Sequence, residues 1–148
     1  MAFRIFSAAF AEGAWIPPLH SCEGADVSPS LEWSDAPAGA RSFALLVEDP
    51  DAPAGTWTHW VLWDIPARTH TLAQGVSGVG IAGKNDFGRS GYGGPCPPPG
   101  APYRYYFRLY ALAVEKLALP NTARAAEFRA AIGGNVLAEA VCMGRFRR

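Results

Sequence analysis

The chain lacks any net charge. Its 148 residues carry 13 Lys and Arg against 13 Asp and Glu. The basic excess of a general polyanion binder is missing, so nucleic acid is not an expected partner. No apolar run approaches the roughly 18 residues of a membrane span. The opening MAFRIFSAAFAEGAW has neither a long apolar stretch nor a clear cleavage site after one. It reads as a first strand rather than a targeting segment. Cysteine is scarce: Cys22, Cys96 and Cys142, with no pair at metal-ligand spacing. An odd count leaves at least one free thiol, which favours a reducing compartment and hence the cytoplasm. Three histidines, His20, His59 and His70, are too few for a His-rich metal site. No serine sits in G-x-S-x-G, and no stretch reads GxxxxGK[ST]. Gly78, Gly80 and Gly83 stand outside any βαβ pattern. No metal and no cofactor is expected.

Hydrophobic residues make up 49% and charged residues 18%, which excludes a disordered chain. Surface scaling gives roughly 7,000 Å² exposed when folded against roughly 23,000 Å² unfolded, enough burial for one domain over residues 1–148 without a staple. With 16 Gly, 13 Pro and 12% aromatics, a turn-rich, sheet-rich fold is favoured over a helix bundle.

Residues 3–10 suit a strand, and Leu31-Glu32-Trp33 is a short extended piece. Ser42 to Glu48 is a nearly continuous apolar run, short and bounded by turn signals, and reads as a buried strand. Trp57 to Ile65 is aromatic and β-branched, with two largely apolar faces. Simple alternation puts Thr58, Trp60, Leu62 and Asp64 on one face and Trp57, His59, Val61, Trp63 and Ile65 on the other. In Tyr103 to Leu112, Tyr103, Tyr105, Phe107, Leu109 and Ala111 share a face. Between these strands, residues 75–102 form a long loop dense in glycine and proline, and long ordered loops are usually functional. Asn121-Thr122 can cap a helix through about Ile132. After Gly133-Gly134, Asn135 can cap a last helix through about Met143, with Leu137, Ala140 and Val141 inward and Gly144 at its end. Arg145, Arg147 and Arg148 would then complement the macrodipole as a solvated helix end, or contact a phosphate or partner. No connection between strands reads as a crossover helix, so the class is mainly β, antiparallel, with short C-terminal helices.

The candidate chemistry is concentrated. Asp49-Pro50-Asp51-Ala52-Pro53 follows the buried strand, and its prolines stiffen the turn. Two carboxylates held close raise one another's proton affinity; equally, both are ordinary turn-capping residues. His59 lies among Trp57, Trp60 and Trp63, either as a titrating group or as a satisfied core residue. The spacing of Asp49, Asp51 and His59 is not specific for a metal. Gly91 to Gly100, GYGGPCPPPG, is a stiff loop hinged by glycine, with a few amides free to cradle an anion. Cys96 within it has no argument for activation.

These segments together resemble the phosphatidylethanolamine-binding protein family, in its bacterial, Raf-kinase-inhibitor-like branch. The resemblance lies in Phe10-x-x-Gly13-x-x-Ile16-Pro17, in Cys22-x-Gly24-x-Asp26-x-Ser28-Pro29-x-Leu31-x-Trp33, and in Ser42 through the DPDAP turn with Thr58-His59-Trp60. It continues through Gly83-Lys84-Asn85-Asp86-Phe87-Gly88, GYGGPCPPPG, Arg104-Tyr105 and Asn135 to Arg148, almost the whole chain. It implies a two-sheet antiparallel β fold with a small pocket for phosphate-like anions at a sheet end. It further implies a homodimer and, through the branch, a protein partner. Asp49, Asp51 and His59 match the pocket's aspartates and first histidine, with Trp57 beside them. Gly94, Cys96 and Pro97 fall on its loop, and Tyr105 on its wall. Where the family reads His-Arg-Tyr, this chain has Tyr103-Arg104-Tyr105, and the preceding loop is about one residue short. A neutral O–H replaces a donor that can be charged, so weaker anion binding or another ligand is expected. A second reading is an enzyme that isomerises, cyclises or dehydrates a small substrate, with Asp49, His59 and Tyr103 as an acid/base set. A third is a vestigial pocket.

Overall fold

Ser42–Asp49 (β3) is buried along nearly its whole length, which requires strand neighbours at both edges and cover on both faces. Trp57–Pro66 (β4) and Tyr103–Leu112 (β7) pair with it on either side, both antiparallel. Ile81–Ala82 (β6) extends the sheet beyond β4, and Val136–Phe146 (β8) extends it beyond β7, giving the order β6-β4-β3-β7-β8. A smaller sheet orders Arg4–Phe6 (β1), Leu31–Ser34 (β2) and Thr71–Leu72 (β5) as β1-β2-β5. Every strand pairing is antiparallel. The structure, a computed structural model, describes residues 2–148, and it has the two-sheet β architecture that the sequence indicates. Its accessible surface is 7014 Å².

The large sheet is covered on both faces. One face packs Phe43, Leu45, Val47, Trp60, Phe107 and Leu109 against Ile5, Leu31 and Trp33 of the small sheet. The other packs Ala44, Leu46, Val61 and Trp63 under Phe128 and Ile132 of the helix Ala125–Ile132 (α1). Burying Phe128 completely contributes about 1.5–3 kcal/mol. The helix starts after Arg124, whose N–H donates to Glu127 Oε1 at 3.0 Å, and not at Asn121-Thr122.

The alternation along β4 is broken twice. Val47 pairs with Trp60 and Glu48 with Thr58, so His59 is an extra residue bulged from the ladder. A second irregularity precedes Ile65, where Asp64 has φ of 56°. Bulges re-aim side chains. His59 therefore faces the side of Tyr105, and Ile65 joins Trp60 and Leu62 in the core. Simple alternation misplaces both.

The terminal helix expected over Asn135–Met143 is a strand. Ala140, Cys142, Gly144 and Phe146 are buried alternately, a period-2 pattern that competes with the helical spacing of Leu137, Ala140 and Val141. The strand wins because β7 offers an open edge with ten residue pairs, Tyr103↔Phe146 through Leu112↔Val136. Leu137 and Val141 are 45% and 41% exposed. Gly144 does not end a helix; a Cβ there would lie 2.5 Å from Ile16 Cγ1 and 2.8 Å from the Phe10 ring. Arg145 donates from Nε to Gly13 O at 2.8 Å and stacks on Trp15. Arg148 donates from Nε to Pro97 O at 2.7 Å. Asn135 Nδ2 donates back to Ala131 O at 3.4 Å. The first strand is also shorter than residues 3–10.

Cys22 and Cys96 form a disulfide across 74 residues. Cys142 is free and buried, and burial pushes its thiol up to about 12. One free thiol is thus as counted, but the bonded pair removes the ground for a reducing compartment. No helix among the described residues is long and apolar enough to cross a membrane.

Candidate functional site

The site forms where β3 stops. Asp49 is the last residue of β3 and is 2% exposed. Its Oδ1 accepts the N–H of Asp51 at 2.7 Å, which folds the DPDAP turn back on itself. Asp51 then reaches the start of β7. Its Oδ2 accepts Arg104 N and Nε, each at 2.9 Å, and its Oδ1 accepts Nη2 at 2.8 Å. This fork holds the Asp51 carboxyl below its usual range. It also fixes the turn against β7, so that Tyr103 and Tyr105 stand on the opposite face from Arg104.

His59 enters from the bulge on β4. Its Nδ1 lies 2.7 Å from Gly93 O. A carbonyl accepts only, so the neutral ring carries its proton on Nδ1 and leaves Nε2 as an acceptor. Burial holds the imidazole below its ordinary range. The ring meets Tyr105 edge-on at 5.1 Å and Phe87 at 5.5 Å. Phe87 meets Trp57 at 5.5 Å. Asn85 places Phe87: it is fully buried, its Oδ1 accepts Phe87 N and Arg89 N, and its Nδ2 donates to Gly91 O.

Together these groups enclose a cavity of about 180 Å³, bounded by Asp49, Ala52 and Pro53, by Trp57 and His59, by Phe87, by Cys96, Pro97 and Pro98, and by Tyr103 and Tyr105. Of the residues singled out from sequence, Asp49, Trp57, His59, Cys96, Pro97, Tyr103 and Tyr105 therefore stand on one cavity. Asp51 lies outside it, bonded to Arg104. Gly94 lies behind it. Its N–H donates to Asp26 Oδ1 at 2.8 Å, and a Cβ there would sit 2.1 Å from His20 O. Ala52, Pro53, Phe87 and Pro98 also line the cavity; the sequence places them in the DPDAP turn and the long loop but assigns them no contact with a ligand. For Phe87 the usable signal was Asn85, an Asx residue that turns the chain within a glycine-bounded loop.

The wall holds no lysine or arginine. Its one carboxylate, Asp49, titrates at about 6, raised first by burial; the Asp51 N–H bond opposes this, the Asp51 charge adds to it and Arg104 opposes it. Mutual repulsion of the two aspartates is thus a lesser cause than desolvation. Burial also raises the Tyr105 phenol, which stays protonated as a donor. Among the described residues, no group of three or more His, Cys, Asp or Glu is placed to hold a metal ion.

Residues 6–147 match the family model described as phosphatidylethanolamine-binding protein. A UPF0098 protein of Aquifex aeolicus is 46% identical over 152 residues, covering 98% of this chain and 88% of the relative. The UPF0098 protein YbcL of Escherichia coli is 38% identical over 154 residues, covering 94% and 84%. The crystal structure of YbcL, described as a member of the mammalian family, superposes with a TM-score of 0.93 at 34% identity, covering 99% of this chain and 98% of that one. A homologue from Chlamydia trachomatis superposes with a TM-score of 0.94 at 38% identity and the same coverage.

Proposed function

The chain belongs to the phosphatidylethanolamine-binding protein family, and from that premise we propose that it is a small-ligand-binding protein whose cavity at the sheet end takes phosphate-type anions. One observation carries this reading. Asp49, His59, Tyr103 and Tyr105, from three strands, converge on one 180 Å³ cavity. That volume suits an oxyanion or a small head group. The phenols supply donors, and the stiff 95–98 wall needs little ordering on binding. Tyr103 replaces a donor that can be charged, so millimolar rather than tight binding is expected. A modulated protein partner and a homodimer belong to the proposal through the family likeness alone.

Calorimetric titration with inorganic phosphate tests it. The wild type is expected to bind saturably at millimolar concentration or below. His59→Ala is expected to abolish binding with an unchanged circular dichroism spectrum. Tyr103→Phe, at the partly exposed mouth, is expected to weaken it without loss of stability. Phosphate binding that survives His59→Ala would remove the site.

The second reading is acid/base catalysis in the same cavity. It is favoured by Asp49 titrating at about 6, close to neutrality, beside an imidazole that burial holds below its ordinary range. Neither Asp49→Asn nor His59→Ala should then turn over a substrate that the wild type converts.

A further inference from the structure

We propose that the Cys22–Cys96 disulfide is an exchange site: a small thiol attacks Cys96 Sγ, Cys22 leaves as a thiolate beside Arg148, and the thiol stays bonded to Cys96, a residue of the cavity wall. The proposal does not depend on what the cavity binds.

Exchange in the folded protein needs a bond that a thiol can reach and that can open without unfolding. Cys22 and Cys96 are both exposed, whereas Cys142 is buried. The two segments that the bond joins are also held together without it. Cys22 N–H donates to Pro95 O at 3.0 Å, Tyr92 Oη to His20 O at 2.6 Å and Gly94 N–H to Asp26 Oδ1 at 2.8 Å. Arg148 Nε holds Pro97 O from the end of β8. Breaking the S–S bond leaves these contacts in place, so the two sulfurs stay neighbours and can close again.

The surroundings of the two sulfurs set the direction, because the sulfur that better carries negative charge leaves faster. Arg148 Nη1 lies 4.0 Å from Cys22 Sγ. Among the described residues, Arg148 makes no ion pair with a carboxylate side chain. Asp26 is engaged by Gly94 N–H and by Arg89, and Glu23, next to Cys22 in the chain, faces solvent. A thiolate on Cys22 thus forms beside a cation. A thiolate on Cys96 would form on a wall that has the Asp49 carboxylate and no lysine or arginine. The step balances. The electron pair of the incoming thiolate makes the new S–S bond to Cys96, and the pair of the broken bond goes to Cys22. A second thiolate attacking the mixed disulfide completes a two-electron reduction: it leaves both cysteines reduced and releases the thiol pair as its own disulfide.

Glutathione is the probe. The native protein is mixed with it at about pH 8, the reaction is stopped at short times with N-ethylmaleimide, and the labelled cysteines are mapped by mass spectrometry. Glutathione on Cys96 with maleimide on Cys22 is expected to exceed the reverse labelling by about threefold, the scale of an exposed ion pair. Cys142 should stay unlabelled, which marks the reaction as one of the folded state. Arg148→Gln, with an unchanged circular dichroism spectrum, should bring the two labellings to parity, and Arg148→Lys should keep the excess. Parity in the wild type, or a full excess in Arg148→Gln, overturns the proposal. So does glutathione labelling that begins only at urea concentrations that unfold the protein, which would make the bond a fixed staple.

Discussion

Replacing Asp49 by Asn should stabilise the protein, and only above a definite pH. The carboxyl is 2% exposed yet looks into a cavity. Its midpoint rises from 3.8 to about 6 on folding, chiefly through desolvation. A carboxyl raised on folding favours the fold fully below its unfolded midpoint and loses that contribution as pH climbs through the folded one. At neutral pH the buried charge thus costs about 3 kcal/mol on the full shift. Water in the open cavity screens it, so the expected gain is about 1–3 kcal/mol. Asn keeps an oxygen for the Asp51 N–H and is nearly isosteric. Urea unfolding of both proteins at about pH 4 and about pH 8 reads the difference directly. The stability gap should be near zero at the lower pH and open between about pH 4 and about pH 7. A gap independent of pH, or a less stable variant at about pH 8, would refute the desolvation argument.

Two further outcomes concern the frame around the cavity. Cys22→Ser opens the disulfide that ties the 91–100 loop to the segment after Pro18–His20. In the chain-entropy account, a closure of this length contributes about 4 kcal/mol, to be read as a drop in urea midpoint that reductant reproduces in the wild type. Gly94→Ala should destabilise by about 1–3 kcal/mol in the same assay, because its Cβ would sit 2.1 Å from His20 O and 2.4 Å from Asp26 Oδ1.

The central strands were legible because their patterns are unambiguous: β3 as a short apolar run, β7 as a strict alternation. Likewise Phe128 and Ile132, at helical spacing, do face the sheet. The last strand was not legible. Ala140, Cys142 and Gly144 are small, and small residues fit a helix face and a strand under a crowded core equally well; the open edge of β7 decides between them, and that is tertiary. The same holds for His59. Alternation assigns it to the face of Val61, whereas a bulge set by the pairing with β3 turns it toward Tyr105. The cysteine count hid the Cys22–Cys96 bond because nothing local brings residues 74 apart together. In the site, the DPDAP turn showed which carboxylates are near one another. The sequence did not show that Arg104 takes Asp51 and leaves Asp49 alone on the cavity, a contact made across two strands.

The most direct measurement is an NMR titration of the His59 ring with inorganic phosphate. The account predicts saturable shifts at the imidazole and along Gly91–Gly100, at millimolar concentration or below. An imidazole and loop that do not move, in a protein whose spectrum is otherwise folded, would contradict it.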